Sequence, residues 1–239
     1  MNIGAVRASV RATTASVFLL GAVSGFAQDL QPITLPLPQR AGGGPLMEAL
    51  NARRTTRSIG PTRLAPQVLS NLLWAAYGVN REQGPRGKPG RTAPSGMNLQ
   101  PIDLYVATPE GVYVYEPVPH RLGPVVARDV RTLANRSPVA ENVPVVLIYV
   151  VDTERRPPPS PGAPAPGGPA GVAPPVELPS FGEVETGFIG QNVYLFCASE
   201  GLAAWFHTAN GEGLARAMRL RPTQRVLYAQ TVGHPAETE

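Results

Sequence analysis

Three short runs of this chain carry side chains whose types and spacing could do chemistry. Arg53-Arg54-Thr55-Thr56-Arg57 places three guanidiniums and two hydroxyls within five residues. Such a set can grip a phosphate dianion through charge-assisted bonds from several directions; the bland reading is a solvated basic helix end. Arg91 to Pro101 sets Ser95, Asn98 and Gln100 between two prolines, Pro94 and Pro101, with Gly96 open to close backbone approach. That loop can offer hydroxyl and amide groups to a polar heterocycle or a sugar-like chain, or it is an ordinary turn-rich connection. The third run is Gln191-Asn192-Val193-Tyr194-Leu195-Phe196, followed by Glu200-Gly201-Leu202-Ala203-Ala204-Trp205-Phe206-His207-Thr208. A helix carrying two amides stops at a glycine and passes into a small-residue strand or tight connection, whose backbone N–H groups could meet a ligand. Packing helix plus edge segment is the plain alternative. Cys197 is the one cysteine, which excludes intramolecular disulfides and cysteine-rich metal sites. On an apolar stripe it reads as an inert core thiol.

These runs need elements to position them. Pro45 to Arg53 is expected to be a helix, with proline at its opening position and Leu46, Ala49, Leu50 and Arg53 at helical spacing. Pro66 to Tyr77 is a second helix with the stripe Val68, Leu69, Leu72, Leu73 and Ala76, and Gly78 is placed for a left-handed stop. Residues 81–101 read as a polar loop. Ile102 to Val106 and Val112 to Tyr115 alternate as strands around Thr108-Pro109-Glu110-Gly111, a hairpin signal. Val125 to Leu133 suits a helix, Val143 to Val151 a strand buried on both faces, and Arg225 to Val232 a further strand. Gly187 to Gly201 returns to helix with Phe188, Ile189, Val193, Phe196 and Cys197 as its buried stripe, and Glu212 to Leu220 closes the series. The order α-α-β-β-α-β-α-α-β lacks regular βαβ alternation and indicates an α+β domain.

The 239 residues include 43% apolar and 16% charged side chains, enough to build a core and too few apolar runs for a multi-pass membrane protein. Net charge is +4, with Lys88 the one lysine among 21 basic residues. Two of those cations, Arg7 and Arg11, fall in residues 1–27, which carry no acid; the remaining field is too weak to argue for nucleic acid. Residues 1–27 read as a signal peptide: a positive start, an apolar run from Ala12 to Val23, and Gly25-Phe26-Ala27 before a cut at Gln28. An exported, periplasmic protein without stable membrane insertion is the expectation. Residues 28–44 form an extended arm, and 157–179, with 10 Pro and 4 Gly, cannot propagate helix or sheet and read as a disordered insertion.

Taken together, the three runs resemble the nitroreductase-like flavin family. Arg53-Arg54-Thr55-x-Arg57 stands where that family has Arg-Arg-Ser-x-Arg; Pro94-Ser95-Gly96-Met97-Asn98-Leu99-Gln100-Pro101 is similar to its Pro-Ser-x-x-Asn-x-Gln-Pro. Gly187 to Leu202 resembles its long Gln-Asn helix ending in Gly-Leu, and Val232-Gly233-His234-Pro235 its closing Gly-Tyr-Pro strand end. The likeness covers residues 45–235 around the insert and is nearest the short branch of azoline-oxidising, SagB-like dehydrogenases.

The resemblance implies an α+β sandwich with a central, mainly antiparallel sheet flanked by helices, and an intertwined homodimer with FMN at each end of the subunit interface. Arg53, Arg54, Thr55 and Arg57 would hold the FMN phosphate and ribityl chain. Pro94, Ser95, Gly96 and Asn98 would cover the flavin from the partner subunit, and backbone groups near His207, Thr208 and Ala209 would face its N5 edge. His207 is either a catalytic proton donor or a partly buried imidazole with a backbone partner. The family's basic residue after the Gly-x-Pro strand end is absent here, and Arg221 is its candidate replacement. The implied activity is passage of hydride from NAD(P)H through FMN to a nitroaromatic, a quinone or an azoline. The competing class is an exported, non-enzymatic binding protein on a degenerate scaffold.

Overall fold

Val145–Asp152 (β7) is the strand around which the domain is built. Its run of β-branched and aromatic residues is buried at all eight positions, as a central strand covered on both faces requires. In the computed structural model, which describes Met1 and residues 30–135, 142–155 and 181–236, β7 pairs antiparallel with Ile102–Thr108 (β4) and with Gln224–Gly233 (β9). Outward from β4 lie Gly111–Glu116 (β5), Arg121–Val126 (β6) and Ile33–Thr34 (β1); outward from β9 lies Ala203–His207 (β8). Every pairing in this seven-stranded sheet is antiparallel. The expected signal peptide beyond Met1 and the proline-rich insertion at 157–179 lie outside the described residues.

Because side chains alternate across a strand, β7 feeds two cores. Leu147, Tyr149 and Val151 meet Leu72, Leu73 and Ala76 of Pro66–Tyr77 (α2) and Ile189, Val193 and Cys197 of Phe181–Ser199 (α4). Val146, Ile148 and Val150 meet Val130 and Ala134 beside Arg131–Ala134 (α3), and Leu214 and Met218 of Gly211–Met218 (α5). This is an α+β sandwich with helices on both faces of a mainly antiparallel sheet. Leu72 and Leu73 are fully buried, each contributing about 1.5–3 kcal/mol of transfer free energy. Leu46–Ala52 (α1) packs on α4.

Several expectations are corrected. Val125 and Val126 belong to β6, Val126 pairing with Val112, and α3 is a single turn begun by the Asp129 carboxylate accepting the Arg131 N–H at 3.0 Å. Pro124 is tolerated in β6 because β1 covers only Leu122 and Arg121, so Pro124 lies on an open edge. The loop 81–101 contains a two-stranded ribbon, Val79–Arg81 (β2) with Gly90–Arg91 (β3). Gly78 is extended, φ −70° and ψ 170°; glycine is needed there because a Cβ would lie 2.3 Å from Trp74 Cδ1. Gly201, at φ +66°, does supply the left-handed stop for α4, with the Leu202 N–H on the Cys197 carbonyl at 2.8 Å. Phe188, expected inside, is 43% exposed. The arm at 28–44 is extended where described and docked: Leu35 enters the core, and the Ser70 hydroxyl donates to the Pro36 carbonyl.

Candidate functional site

The arginine run begins where α1 ends. Arg53 still gives its N–H to the Ala49 carbonyl, but its ψ of 119° turns the chain into an extended strand-like course. Thr56 then donates its N–H to the Ala204 carbonyl at 2.9 Å, and Ile59 bridges Pro235, so residues 53–60 run along the ends of β8 and β9. An extended segment sends successive side chains to opposite sides, and that divides the cluster. The Arg53 guanidinium sits 5.5 Å above the Tyr194 ring, Thr55 Oγ1 lies 2.9 Å from the Tyr194 hydroxyl, and Arg57 sits 5.3 Å above Trp205. Arg54 and Thr56 point to the other side, lining a pocket of about 240 Å³ whose wall is shared by Tyr194, Cys197, Ala198, Gly201, Leu202 and Pro235.

Tyr194 holds this corner together, since its hydroxyl also accepts the Phe206 N–H at 2.9 Å. Among the described residues no carboxylate pairs with Arg53, Arg54 or Arg57; Arg40, Arg81, Arg86, Arg91, Arg128 and Arg219 share that lack, and what sets the three apart is that they fall within five residues beside two hydroxyls. Three uncompensated guanidiniums beside two hydroxyls form an anion-binding donor set. Arg221 cannot join them. It donates to Asp152 at 2.6 Å, at the far end of β9 from the Ile59–Pro235 bridge, roughly 30 Å along an extended strand. The Arg221 replacement is therefore withdrawn.

His207 continues the same edge, its ring 4.9 Å from that of Trp205. Nδ1 lies 3.0 Å from the Thr208 carbonyl, which can only accept, so Nδ1 carries the proton; Nε2, 2.9 Å from Thr231 Oγ1, accepts from that hydroxyl. Burial pushes its pKa down, in keeping with a neutral ring whose two nitrogens are both engaged. The β8–β9 ladder ends at the His207–Ala229 pair, which leaves the N–H groups of Thr208 and Ala209 outside it. The Asn210 side chain then accepts from Gly213 N and starts α5.

The Pro94–Asn98 loop is built differently. Asn98 gives its amide to the carbonyls of Pro85 (2.9 Å) and Lys88 (3.1 Å) and accepts from Gln100 Nε2 (2.8 Å). Gln100 in turn accepts from Arg91 Nε and donates to the Pro89 carbonyl. Within the subunit the Asn98 side-chain amide is taken up in holding the loop. Pro94 and Met97 are exposed, while Ser95 and Gly96 are half-buried and face α4. Ser95 Oγ and Gly96 N both donate to Glu185, nine residues before Tyr194, or about 13 Å along a helix axis. One subunit therefore holds the arginine corner and the loop apart at two stations along α4.

Sequence reasoning missed Glu185, Tyr194 and Trp205 as organisers of these stations. Glu185 lies in phase with the buried Ile189 and Val193, and an acid on an apolar stripe was the available signal. Of the two amides on α4, Gln191 is exposed and Asn192 reaches the Ala76 carbonyl at 3.4 Å. The Cys197 thiol is buried, and its pKa is pushed up accordingly. A larger pocket of about 480 Å³ lies across α4 from the arginines, between Gln39 to Gly43, α2, and Asn192 to Glu200.

Comparison with known proteins agrees with this geometry. Residues 50–234 match the description of the nitroreductase family. A Methanocaldococcus jannaschii protein bearing the nitroreductase name is 29% identical over 167 residues, 66% of this chain and 75% of the relative. A crystal structure of a Ralstonia eutropha protein, also named a nitroreductase, superposes with a TM-score of 0.73 at 35% identity, covering 90% of this chain and 93% of that one. A chain of the Escherichia coli microcin synthetase McbBCD complex, solved with truncated pro-MccB17, shares the fold at a TM-score of 0.59 and 19% identity over 94% of this chain and 85% of that one.

Proposed function

This chain belongs to the nitroreductase family, and on that premise we propose that it is an FMN-dependent oxidoreductase working as a homodimer. The observation that carries the reading is the set of three guanidiniums, Arg53, Arg54 and Arg57, with no carboxylate partner among the described residues, set beside Thr55 and Tyr194. Arg53 and Thr55 would bind the FMN phosphate, Arg57 the ribityl side, and Arg54 would add charge from the neighbouring pocket. The N–H groups of Thr208 and Ala209, free of the sheet ladder, suit the flavin's N5 edge, where a backbone donor needs no titrating group. His207, neutral and hydrogen-bonded at both ring nitrogens, positions that turn. Bound FMN would supply hydride transfer between NAD(P)H and an acceptor such as a nitroaromatic, a quinone or an azoline.

The homodimer is supported by two observations. Leu46, Met47 and Leu50 on α1 are 62%, 74% and 44% exposed, and Phe181, Val184 and Phe188 on α4 leave a second apolar row outside; exposed apolar rows of this kind suit an interface. The separation of the Pro94–Asn98 loop from the arginine corner is the other. A second copy brings its own Pro94, Ser95 and Gly96 over the site, with Asn98 bracing them from within. The likeness to the microcin synthetase chain and the motif spacing favour the azoline-oxidising branch. Residues 1–27 support export to the periplasm, which mass analysis of the native chain tests through a cut before Gln28. Purified protein should be yellow, dimeric by light scattering, and bleached by NADH without oxygen. Colourless protein that ignores added FMN would return the reading to a non-enzymatic binding module.

A further inference from the structure

Glu185 is 1% exposed, on the inner face of α4 in line with Ile189 and Val193. Its Oε1 accepts from Ser95 Oγ at 2.8 Å and from Gly96 N at 2.9 Å, and the same serine oxygen accepts the Gln100 N–H at 2.7 Å. The segment clasped in this way is expensive in backbone terms. Met97, Asn98 and Gln100 all have positive φ, 50°, 54° and 55°, and non-glycine residues there persist only when their surroundings over-determine them. Gly96 is pressed on the Phe181 ring so closely that a Cβ would lie 2.7 Å from it. The first two turns of α4 thus hold the loop by a carboxyl and a ring.

A second, independent feature lies at the same place. Of the five buried side-chain atoms without a partner among the described residues, four are Tyr77 Oη, Arg91 Nη1, Thr92 Oγ1 and Glu185 Oε2. Arg91 lies over the Tyr77 ring at 5.2 Å. After burial itself, Glu185 is the largest influence raising the Tyr77 pKa. Unpaired buried polar atoms are rare, and the grouping of Tyr77, Arg91 and Glu185 marks a place where polarity is kept at a cost in stability. An apolar residue at 185 would pack that site more cheaply but could not hold Ser95 and Gly96.

We infer that Glu185 is a positioning residue for flavin binding: its carboxyl sets the Ser95–Gln100 backbone in the one conformation that can close over the FMN of the second subunit. This rests on the functional reading above and deepens it. Two variants test it, each by hydrogen exchange of the loop amides in the flavin-free protein and by FMN titration. Glu185→Ala should speed exchange at Gly96 and Gln100 and weaken FMN binding by about tenfold, the loss of a charge-assisted clasp. Glu185→Gln keeps an oxygen for both donors and should restore affinity to within about threefold of the native chain. Should the alanine variant not fold, Ser95→Ala removes one donor with the carboxyl intact and also the acceptor of the Gln100 N–H, so exchange at Gly96 is the readout there and should speed less than in Glu185→Ala, with a smaller loss of FMN affinity. Unchanged exchange, faster exchange with unchanged FMN affinity, or a glutamine variant no better than alanine each overturns the assignment. Native protein that fails to bind FMN at all sinks the flavin reading instead, while the exchange result still reports on the clasp.

Discussion

The arginine corner and the Pro94–Gln100 loop are both rich in hydrogen-bonding groups, and they treat them in opposite ways. In the corner, Arg53 and Arg57 lie over Tyr194 and Trp205 with no carboxylate partner among the described residues. In the loop, Ser95, Asn98 and Gln100 spend their side chains on one another, on Pro85, Lys88 and Pro89 carbonyls, and on Glu185. The difference separates a surface with charge to offer from a scaffold whose product is backbone shape. On the proposed function a ligand would gain charge-assisted bonds from the first, and from the second a preformed wall at no ordering cost.

The comparison breaks first at the corner. Replacing Arg53 and Arg57 together with alanine should weaken FMN binding by about a hundredfold or more, two charge-assisted contacts being lost. The melting temperature should fall by only a few degrees, because neither side chain makes an ion pair and each gives up one cation–π contact of about 0.5–1 kcal/mol; fluorescence titration with a thermal scan checks both. Retained affinity would remove the phosphate assignment. The reverse pattern is expected in the loop. Asn98→Ala strands two carbonyls and places alanine at φ 54°, so unfolding in urea should reveal a loss of about 2–4 kcal/mol.

Protonation is a subtler probe of how polar groups are spent. Ser70 gives its one hydrogen to the Pro36 carbonyl, so His120 Nε2 must donate to Ser70 Oγ, and His120 Nδ1 accepts from the Tyr115 hydroxyl. Burial lowers the His120 pKa, with Arg40 nearby adding to it. The unfolded chain then binds more protons on acidification, so stability is full above about pH 6.5 and declines as pH falls toward the folded value. His120→Asn, which tolerates the left-handed backbone at φ 49°, should flatten that decline in denaturant midpoints measured from pH 7.5 to 5.5. The smallest effect is reserved for Arg54→Ala. Because Arg54 is exposed and, unlike Arg53 and Arg57, lies over neither the Tyr194 nor the Trp205 ring, FMN affinity should drop only about threefold, as for a solvent-screened charge. A loss matching the Arg53 and Arg57 pair would erase the division of the segment into two faces.

Much of the architecture was legible because it is written locally. The α2 stripe from Leu72 to Ala76 and the β-branched run of β7 follow from periodicity alone. The stop of α4 at Gly201 follows from the one residue that takes positive φ cheaply, and the arginine cluster was visible as composition. What stayed hidden depends on partners distant in sequence. β6 is a strand because β5 and β1 pair with it, despite Gly123 and Pro124. Phe188 is outside because α4 turns Ile189 and Val193 inward.

By itself, then, the amino-acid order determined the strongly periodic helix α2, the central strand and which residues could hold an anion, since spacing and side-chain chemistry are properties of a short stretch. Tertiary structure decided which of those side chains remain available. It split Arg53 and Arg57 from Arg54, turned Asn98 inward, paired Arg221 with Asp152 and brought Glu185 under Ser95 and Gly96. A hydrogen-bonding group has few bonds to give, and only the folded chain shows where they have gone.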